Sequence, residues 1–290
     1  MSFVLVALSA QAQQDPLYAQ YYNNPMLINP AFAGSLERFY AGVAYRSQWT
    51  GIQGMPVTYN LNSHISLVNN RVGVGVYALQ DKLGDIQNTS YGTAYAYRIK
   101  MHDATLSFGI QAGFTRYATD PEAIRIKNNP DPNFAQFNET RFNTGAGLMF
   151  QNDVYMIGLS VPRILANSVD REGESVQVQK QNFYLYGSYI FQINQQTRFK
   201  PSALIRATAN ASPGIDVNAN IELNRKYTGG VFVRGFNSYG LLAQMIIGDL
   251  RFGYVFEVPG KNSALYYTTH EVSLAISLSI IQGHAILNGL

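Results

Sequence analysis

Positions 57–66 read VTYNLNSHIS, and the spacing of apolar residues in this stretch governs the interpretation of the whole chain. Successive side chains of an extended strand point to opposite faces. Val57, Tyr59, Leu61 and Ile65 therefore share one side, and Thr58, Asn60, Asn62, His64 and Ser66 share the other. Half apolar and half polar is the period-two signature of a strand with two unlike faces. The pattern recurs. Tyr91, Thr93, Tyr95, Tyr97 and Ile99 oppose Ser90, Gly92, Ala94, Ala96 and Arg98, and Leu106, Phe108, Ile110 and Phe114 oppose Ser107, Gly109, Gln111 and Gly113. Ile215, Val217, Ala219, Ile221 and Leu223 oppose Asp216, Asn218, Asn220 and Glu222, while Leu250, Phe252, Tyr254 and Phe256 oppose Arg251, Gly253 and Glu257.

Extended outward from these copies, the alternation predicts fourteen strands at about 38–48, 56–66, 71–80, 88–99, 104–115, 142–150, 153–161, 181–191, 199–208, 215–224, 227–235, 239–247, 249–257 and 270–280. An even number is what closed bacterial barrels use, with short periplasmic turns and longer outer loops. With a periplasmic N-terminus the odd-numbered connections should be the long ones. Connections 116–141 and 162–180 are long, 258–269 is intermediate, and 49–55 and 81–87 exceed most even-numbered turns, such as 151–152, 248 and 100–103. Connections 192–198 and 236–238 run against the rule.

Composition agrees with a β-protein. Only 13% of the 290 residues are charged and another 13% are aromatic, whereas a helical enzyme carries more Ala, Leu, Glu and Lys. No stretch after the first dozen residues approaches the roughly 20 apolar residues a spanning helix needs. A membrane location therefore requires a barrel, and because hydrocarbon offers no water to an unpaired amide, its first and last strands must join. A soluble sandwich would also alternate. It would have edge strands to protect with Pro, Lys or bulges, and here those residues sit mainly in connections. Aromatic residues gather near strand ends, as they do at bilayer interfaces: Phe39, Tyr40, Tyr45, Trp49, Phe183, Tyr184, Tyr189, Phe191, Tyr266 and Tyr267. The fold expected is a closed antiparallel transmembrane β-barrel of the outer-membrane type.

Phe3 to Leu8 form a short apolar run and Ala10, Gln11 and Ala12 fit an A-x-A cleavage pattern, so a signal peptide is expected over 1–12. Then follow a Pro/Asn-rich segment at 13–37, the barrel at 38–280 and a tail at 281–290. A formal charge of +3 without a basic tract argues against nucleic acid. The absence of cysteine excludes disulfides, thiol catalysis and sulfur-bound metal. His64, His102, His270 and His284 show no metal-ligand spacing, and Gly73 and Gly75 precede no helix that could hold a phosphate. Neither a catalytic residue nor a cofactor is expected.

The N-terminal segment contains Asp15, Pro16, Leu17, Tyr18, Ala19, Gln20 and Tyr21, then Asn24 and Pro25, then Asn29, Pro30, Ala31, Phe32, Ala33 and Gly34. Arg46, Gln48, Trp49, Gly51, Gly54, Pro56 and Thr58 follow, then Asp81 with Gly84, and near the end Thr269, His270 and Glu271. This series resembles the PorP/SprF family, with its DPxxxQY and NPA elements, its RxQWxGxxGxPxT stretch, its D-x-x-G loop and its final THE element. Departing from many outer-membrane barrels, the chain ends in Gly289 and Leu290 rather than a terminal aromatic. The resemblance implies a non-enzymatic outer-membrane component of the type IX secretion and gliding machinery of Bacteroidetes-like bacteria. Its partners would be a secreted or surface-anchored protein, other secretion components in the periplasm, and the lipid bilayer. The alternative is a passive porin or small-molecule uptake channel, and a membrane hydrolase is a third class.

On the predicted topology Arg46, Gln48, Trp49, Asp81, Lys82, His270 and Glu271 converge on one sector of the outer rim, a candidate docking surface for an exported partner. The competing view places Trp49 in the aromatic belt and lets Arg46 snorkel or pair with Glu271. The segment with Asp15, Pro16, Gln20, Tyr21, Asn29, Pro30 and Gly34 cannot be a regular helix, because its Asn-Pro steps favour turns and extended chain. It suits a periplasmic cap, a lumen plug or a docking strip. On the polar faces Arg38, Arg46, Arg98, Arg206 and Arg251 share the lumen with Asp216, Glu222 and Glu257, as an anion-preferring pore or an internal ion-pair network.

Overall fold

The computed structural model describes residues 21, 25–119, 138–171, 174–179, 181–208, 211–261, 263 and 266–279. The expected signal segment 1–12, the motif residues Asp15, Pro16 and Gln20, and the tail 281–290 lie outside them. Fourteen strands form the wall: β1 Phe39–Ser47, β2 Val57–Leu67, β3 Val72–Leu83, β4 Ile86–Lys100, β5 Thr105–Thr119, β6 Asn138–Gln151, β7 Tyr155–Val161, β8 Asn182–Tyr189, β9 Thr197–Thr208, β10 Gly214–Leu223, β11 Tyr227–Arg234, β12 Ser238–Ile247, β13 Leu250–Pro259 and β14 Thr269–Leu278. Each pairs antiparallel with its sequence neighbours, and β1 pairs with β14 from Phe39↔Leu278 to Ser47↔His270. The sheet is a closed cylinder with no edge through the membrane, as hydrocarbon requires.

The alternation decides which way each strand faces. In β2, Thr58, Asn60, Asn62 and His64 are buried while Tyr59 and Leu61 are exposed. Val43, Tyr95, Ile110, Val217, Leu241 and Val272 are likewise exposed, while Ser107, Asn218, Asn220 and Glu271 are buried. A water-soluble protein has the reverse arrangement, and a barrel whose outside meets lipid has this one. Among the described residues no helix is long and apolar enough to cross a membrane. In the adjacent pairs Phe39–Tyr40 and Phe183–Tyr184 only one ring can face out. Tyr40 and Tyr184 turn into the lumen and so leave the expected aromatic belt.

Four connections differ from expectation, the first being that at 116–141, which narrows to 120–137 as β5 and β6 pair to Ala118↔Asn138. The gap at 81–87 closes to a turn at 84–85, because Gln80, Asp81, Lys82, Gln87, Asn88 and Thr89 continue the β3–β4 ladder. These residues are polar on both faces, so alternation could not reveal them, and Gly84 makes the turn at φ +56°. Phe191–Gln192 extends β8 against Phe199 and Arg198, which shortens the exceptional 192–198 connection to 193–196. Within the β7–β8 connection, Asn167–Arg171 and Glu174–Gln179 pair with each other as a separate hairpin. The wall is uneven. β4 and β5 have 15 residues each and β6 has 14, against 7 in β7 and 8 in β8. At about 3.4 Å per residue β4 to β6 run roughly twice as far as β7 and β8.

Candidate functional site

Tyr21 and residues 25–34 lie inside the barrel. Of two single-turn 3-10 helices, Pro25–Leu27 and Pro30–Phe32, the second lies against β4, β5 and β6, and the first packs on the second and sends Met26 into the same apolar cluster. Proline at the start of each turn needs no amide partner. Asn29 caps the second turn by accepting from Ala31 N at 2.9 Å, and its Nδ2 donates to Leu148 O on β6 at 2.9 Å. Ser160 Oγ on β7 donates to Ile28 O at 2.6 Å, and Asn218 Nδ2 on β10 donates to Tyr21 Oη at 2.7 Å. Gly34 turns at φ +68°, and its N–H donates to His64 Nδ1 on β2 at 3.1 Å. Arg98 on β4 donates to Ala33 O, and also to Ser66 Oγ and Asn70 O.

The wall is shaped for this segment. Met26, Ala31, Phe32 and Ala33 form one buried apolar cluster with Ala94, Ala96 and Met149, and Tyr21 and Ile28 form a second with Tyr184, Tyr186 and Leu204. Tyr21 meets Tyr186 edge-on at 6.2 Å. Lumen-facing glycines give the segment room: a Cβ at Gly73 would lie 1.8 Å from Ala33 O, and one at Gly109 2.1 Å from Ala31 N. Burial, and secondarily the charge of Asp216, push the Tyr21 hydroxyl well above the usual tyrosine range, although the Asn218 bond opposes this.

Above this layer, toward the end with the longer connections, lies a chain of ion pairs. Arg234 contacts Asp216 Oδ2 through Nε and Glu257 Oε2 through Nη1, each at 3.3 Å. Arg46 contacts the same Glu257 oxygen at 3.1 Å and Glu271 Oε2 at 3.3 Å, and Ser238 Oγ donates to Glu257 Oε1 at 2.6 Å. A second group joins Glu222 to Arg198 and Lys200. Asp216, Glu222, Glu257 and Glu271 are therefore each paired with an Arg or Lys. Burying charge without a partner costs several kcal/mol, whereas alternating signs offset that cost. Arg38 departs from expectation: it precedes β1, is exposed, and donates from Nε to Ser279 Oγ at 3.1 Å. Arg234, central to the network, was absent from the expected set, although the parity of β11 points it inward with Phe232.

The expected rim residues do share one sector, but they face different ways. Arg46 and Glu271 are 4% and 0% exposed and point into the lumen, so they stand off any docking surface. Parity explains this, since Arg46↔Glu271 is a direct β1–β14 pair on the polar face. Asp81 accepts from Thr58 Oγ1 at 2.7 Å. Gln48 N donates to Pro56 O, and Trp49, at φ +58°, donates its N–H to Thr269 Oγ1 on β14. Gly84 N donates to Gly54 O, which ties the loop after β1 to the β3–β4 turn. His270 faces outward, its Nδ1 2.7 Å from Tyr254 Oη and its ring against Phe256. Lys82 is exposed. Among the described residues no group of three or more His, Asp or Glu could hold a metal.

The model of the family described as "Type IX secretion system membrane protein PorP/SprF" matches residues 10–276. The chain belongs to the PorP/SprF family. No curated protein matches it in sequence. In fold this PorP/SprF member is similar to solved outer-membrane barrels. The CymD monoaromatic hydrocarbon channel has 11% identity and a TM-score of 0.53, over 92% of this chain and 94% of that one. The Pseudomonas putida toluene transporter TodX has 8% identity and a TM-score of 0.51, over 89% and 94%. The Acinetobacter baumannii outer membrane protein Omp33 has 9% identity and a TM-score of 0.50, over 83% and 98%. At such identities the likeness carries the fold alone. The PorP/SprF match and the barrel together place the protein in the outer membrane as a type IX secretion component.

Proposed function

We propose that this protein is a closed, non-enzymatic docking component of type IX secretion, which binds an exported surface protein at its outer rim and helps to export or anchor it. In this proposal the N-terminal segment is a plug. The observation that carries the proposal is the burial of residues 25–34 inside the barrel: they pack against β4, β5 and β6 and are hydrogen-bonded to β2, β4, β6 and β7, below a network of paired charges. Such packing favours a scaffold over a permeation path, because widening the lumen would require breaking buried contacts. The rim surface open to a partner is then Gln48, Trp49, Lys82 and His270, held by the bonds that fix the loop after β1.

Planar-bilayer recordings on the purified full chain and on a chain lacking residues 15–34, with affinity isolation of the full chain from native outer membrane, test this. The expected outcome is a closed full chain, a conducting deletion, and a surface protein retained by Trp49 and Lys82 together. Steady conductance by the full chain equal to that of the deletion would favour the alternative, a passive uptake channel.

A further inference from the structure

The upper part of β6 has a neighbour on one side only. Its ladder with β5 runs from Gln151 up to Asn138, but its ladder with β7 stops at Ala146↔Val161. Beyond Val161 the chain does not follow β6 upward. Pro162 O accepts from Gln111 Nε2 at 2.7 Å and lies over Gly145, where a Cβ would be 2.2 Å from it. Ile164 N then donates to Thr144 O at 2.8 Å, and Leu165 exchanges bonds with the Asn143 side chain. The hairpin at 167–179 pairs with itself. Among the described residues, no backbone group pairs with the far side of the β6 backbone above Thr144.

The groups left on that edge follow from the ladder. The amide and carbonyl of one strand residue point the same way, and successive residues alternate. Because Thr144 O points away from β5, so do the N–H and C=O groups of Phe142, Thr140 and Asn138. A short row of alternating donors and acceptors is the chemistry that accepts another β-strand. Its height is compatible with an open edge. Arg116 Nε donates to Asn138 Oδ1 at 2.7 Å on the outward face, a polar pair suited to water rather than hydrocarbon.

Side chains add a second, independent pointer. On the outward face Tyr91, Phe114 and Phe142 are aligned in register across β4, β5 and β6, with ring centroids 6.0 and 5.4 Å apart. The aromatic row ends at Phe142, which is 45% exposed at the open edge. A further strand would set its own side chain beside that ring, in the cross-strand position where aromatic pairs stabilise sheets.

We infer that the upper edge of β6, Asn138–Phe142, is a strand-acceptor site that takes an extended segment of the exported partner, with an aromatic or β-branched residue of that segment against Phe142. This deepens the docking function proposed above and rests on it. Even-numbered amides face away from β5, so Thr140→Pro removes an edge donor and adds a ring there while sparing the β5 ladder. Thr140→Ala keeps the donor.

A photoreactive benzoylphenylalanine at position 140 in cells, with mass spectrometry of the adducts, should find one contiguous segment of an exported surface protein. A synthetic peptide of that segment should bind the wild-type barrel and Thr140→Ala equally and Thr140→Pro about ten-fold less tightly. Phe142→Ala, which leaves the backbone intact, should also weaken it several-fold. Adducts confined to lipid, to residues 120–137 or to a second copy of the chain would overturn the inference, as would equal binding by Thr140→Pro and Phe142→Ala. If the surface protein still co-purifies at full yield with both variants, docking stands and this edge is not its site. If it co-purifies with no form of the barrel, both fail.

Discussion

Gly109→Ala puts the lumen contact under direct test. The added Cβ would lie 2.1 Å from Ala31 N and 2.4 Å from Ala31 Cα and Pro30 C, all backbone atoms that no side-chain rotation can move. Ordinary contact begins near 3.4 Å, so the segment must retreat by about 1.3 Å. A shift of that size carries Asn29 Nδ2, now 2.9 Å from Leu148 O, toward the limit of hydrogen bonding or past it. Overpacking costs about 1–3 kcal/mol, and a lost bond about 0.5–1.5 kcal/mol. The docked segment should therefore be released about ten- to two-thousand-fold more often. The wall itself should not suffer, because alanine is better than glycine within a strand by roughly 0.5–1 kcal/mol. The chain contains no cysteine, so a single Ile28→Cys, at a buried position of the segment, reports release through its labelling rate with a membrane-impermeant maleimide. The rate should rise by that factor in Gly109→Ala, with heat-modifiable gel mobility unchanged. An unchanged rate in an intact barrel would refute the steric fit between β5 and Ala31.

Arg46→Ala leaves Glu257 and Glu271 buried with less positive charge beside them, and should cost about 3–5 kcal/mol in urea unfolding from detergent; adding Glu271→Gln should restore part of this. Tyr21→Phe removes the bond from Asn218 and should loosen docking by about 1 kcal/mol, read by the same Ile28→Cys labelling. Raising the pH gives a second handle on this residue. Its hydroxyl is held above the ordinary range, so its contribution is full below about pH 10 and is lost as the pH climbs beyond that value. Conductance should therefore appear in strongly alkaline buffer with a step that Tyr21→Phe lacks. Trp49→Ala combined with Lys82→Ala should reduce capture of the surface partner without changing barrel unfolding, measured on the same preparation.

Strand positions were legible because lipid and lumen impose opposite polarity on successive residues, so Val57 to Ser66 betray their two faces at once. Legibility ended where the surroundings are polar on both sides. Gln80 to Lys82 and Gln87 to Thr89 lie in one ladder without alternating, and β5 and β6 likewise pair to Ala118↔Asn138, beyond the expected ends. The rim sector followed from topology, since β14 had to meet β1. Which rim residues face outward required the register: the Arg46↔Glu271 pair sends both charges into the lumen. The aromatic belt failed at Tyr40 and Tyr184 for the same reason of parity. The packing of Tyr21, Asn29 and Gly34 could not be read from local spacing, because their partners His64, Leu148 and Asn218 are distant in sequence.

The seam between β1 and β14 also bears on how the protein is made. β14 is the last strand to emerge, and a pairing so distant in sequence pays its loop-closure entropy before it gains any contact. Residues 25–36 come just ahead of β1, and so are at hand from the start of assembly. Together with Tyr21 they touch both halves of the cylinder, from His64 on one side to Asn218 on the other. A segment placed in this way can serve as a mandrel, the form around which the wall is wound, and once the seam is shut it can leave only through an end.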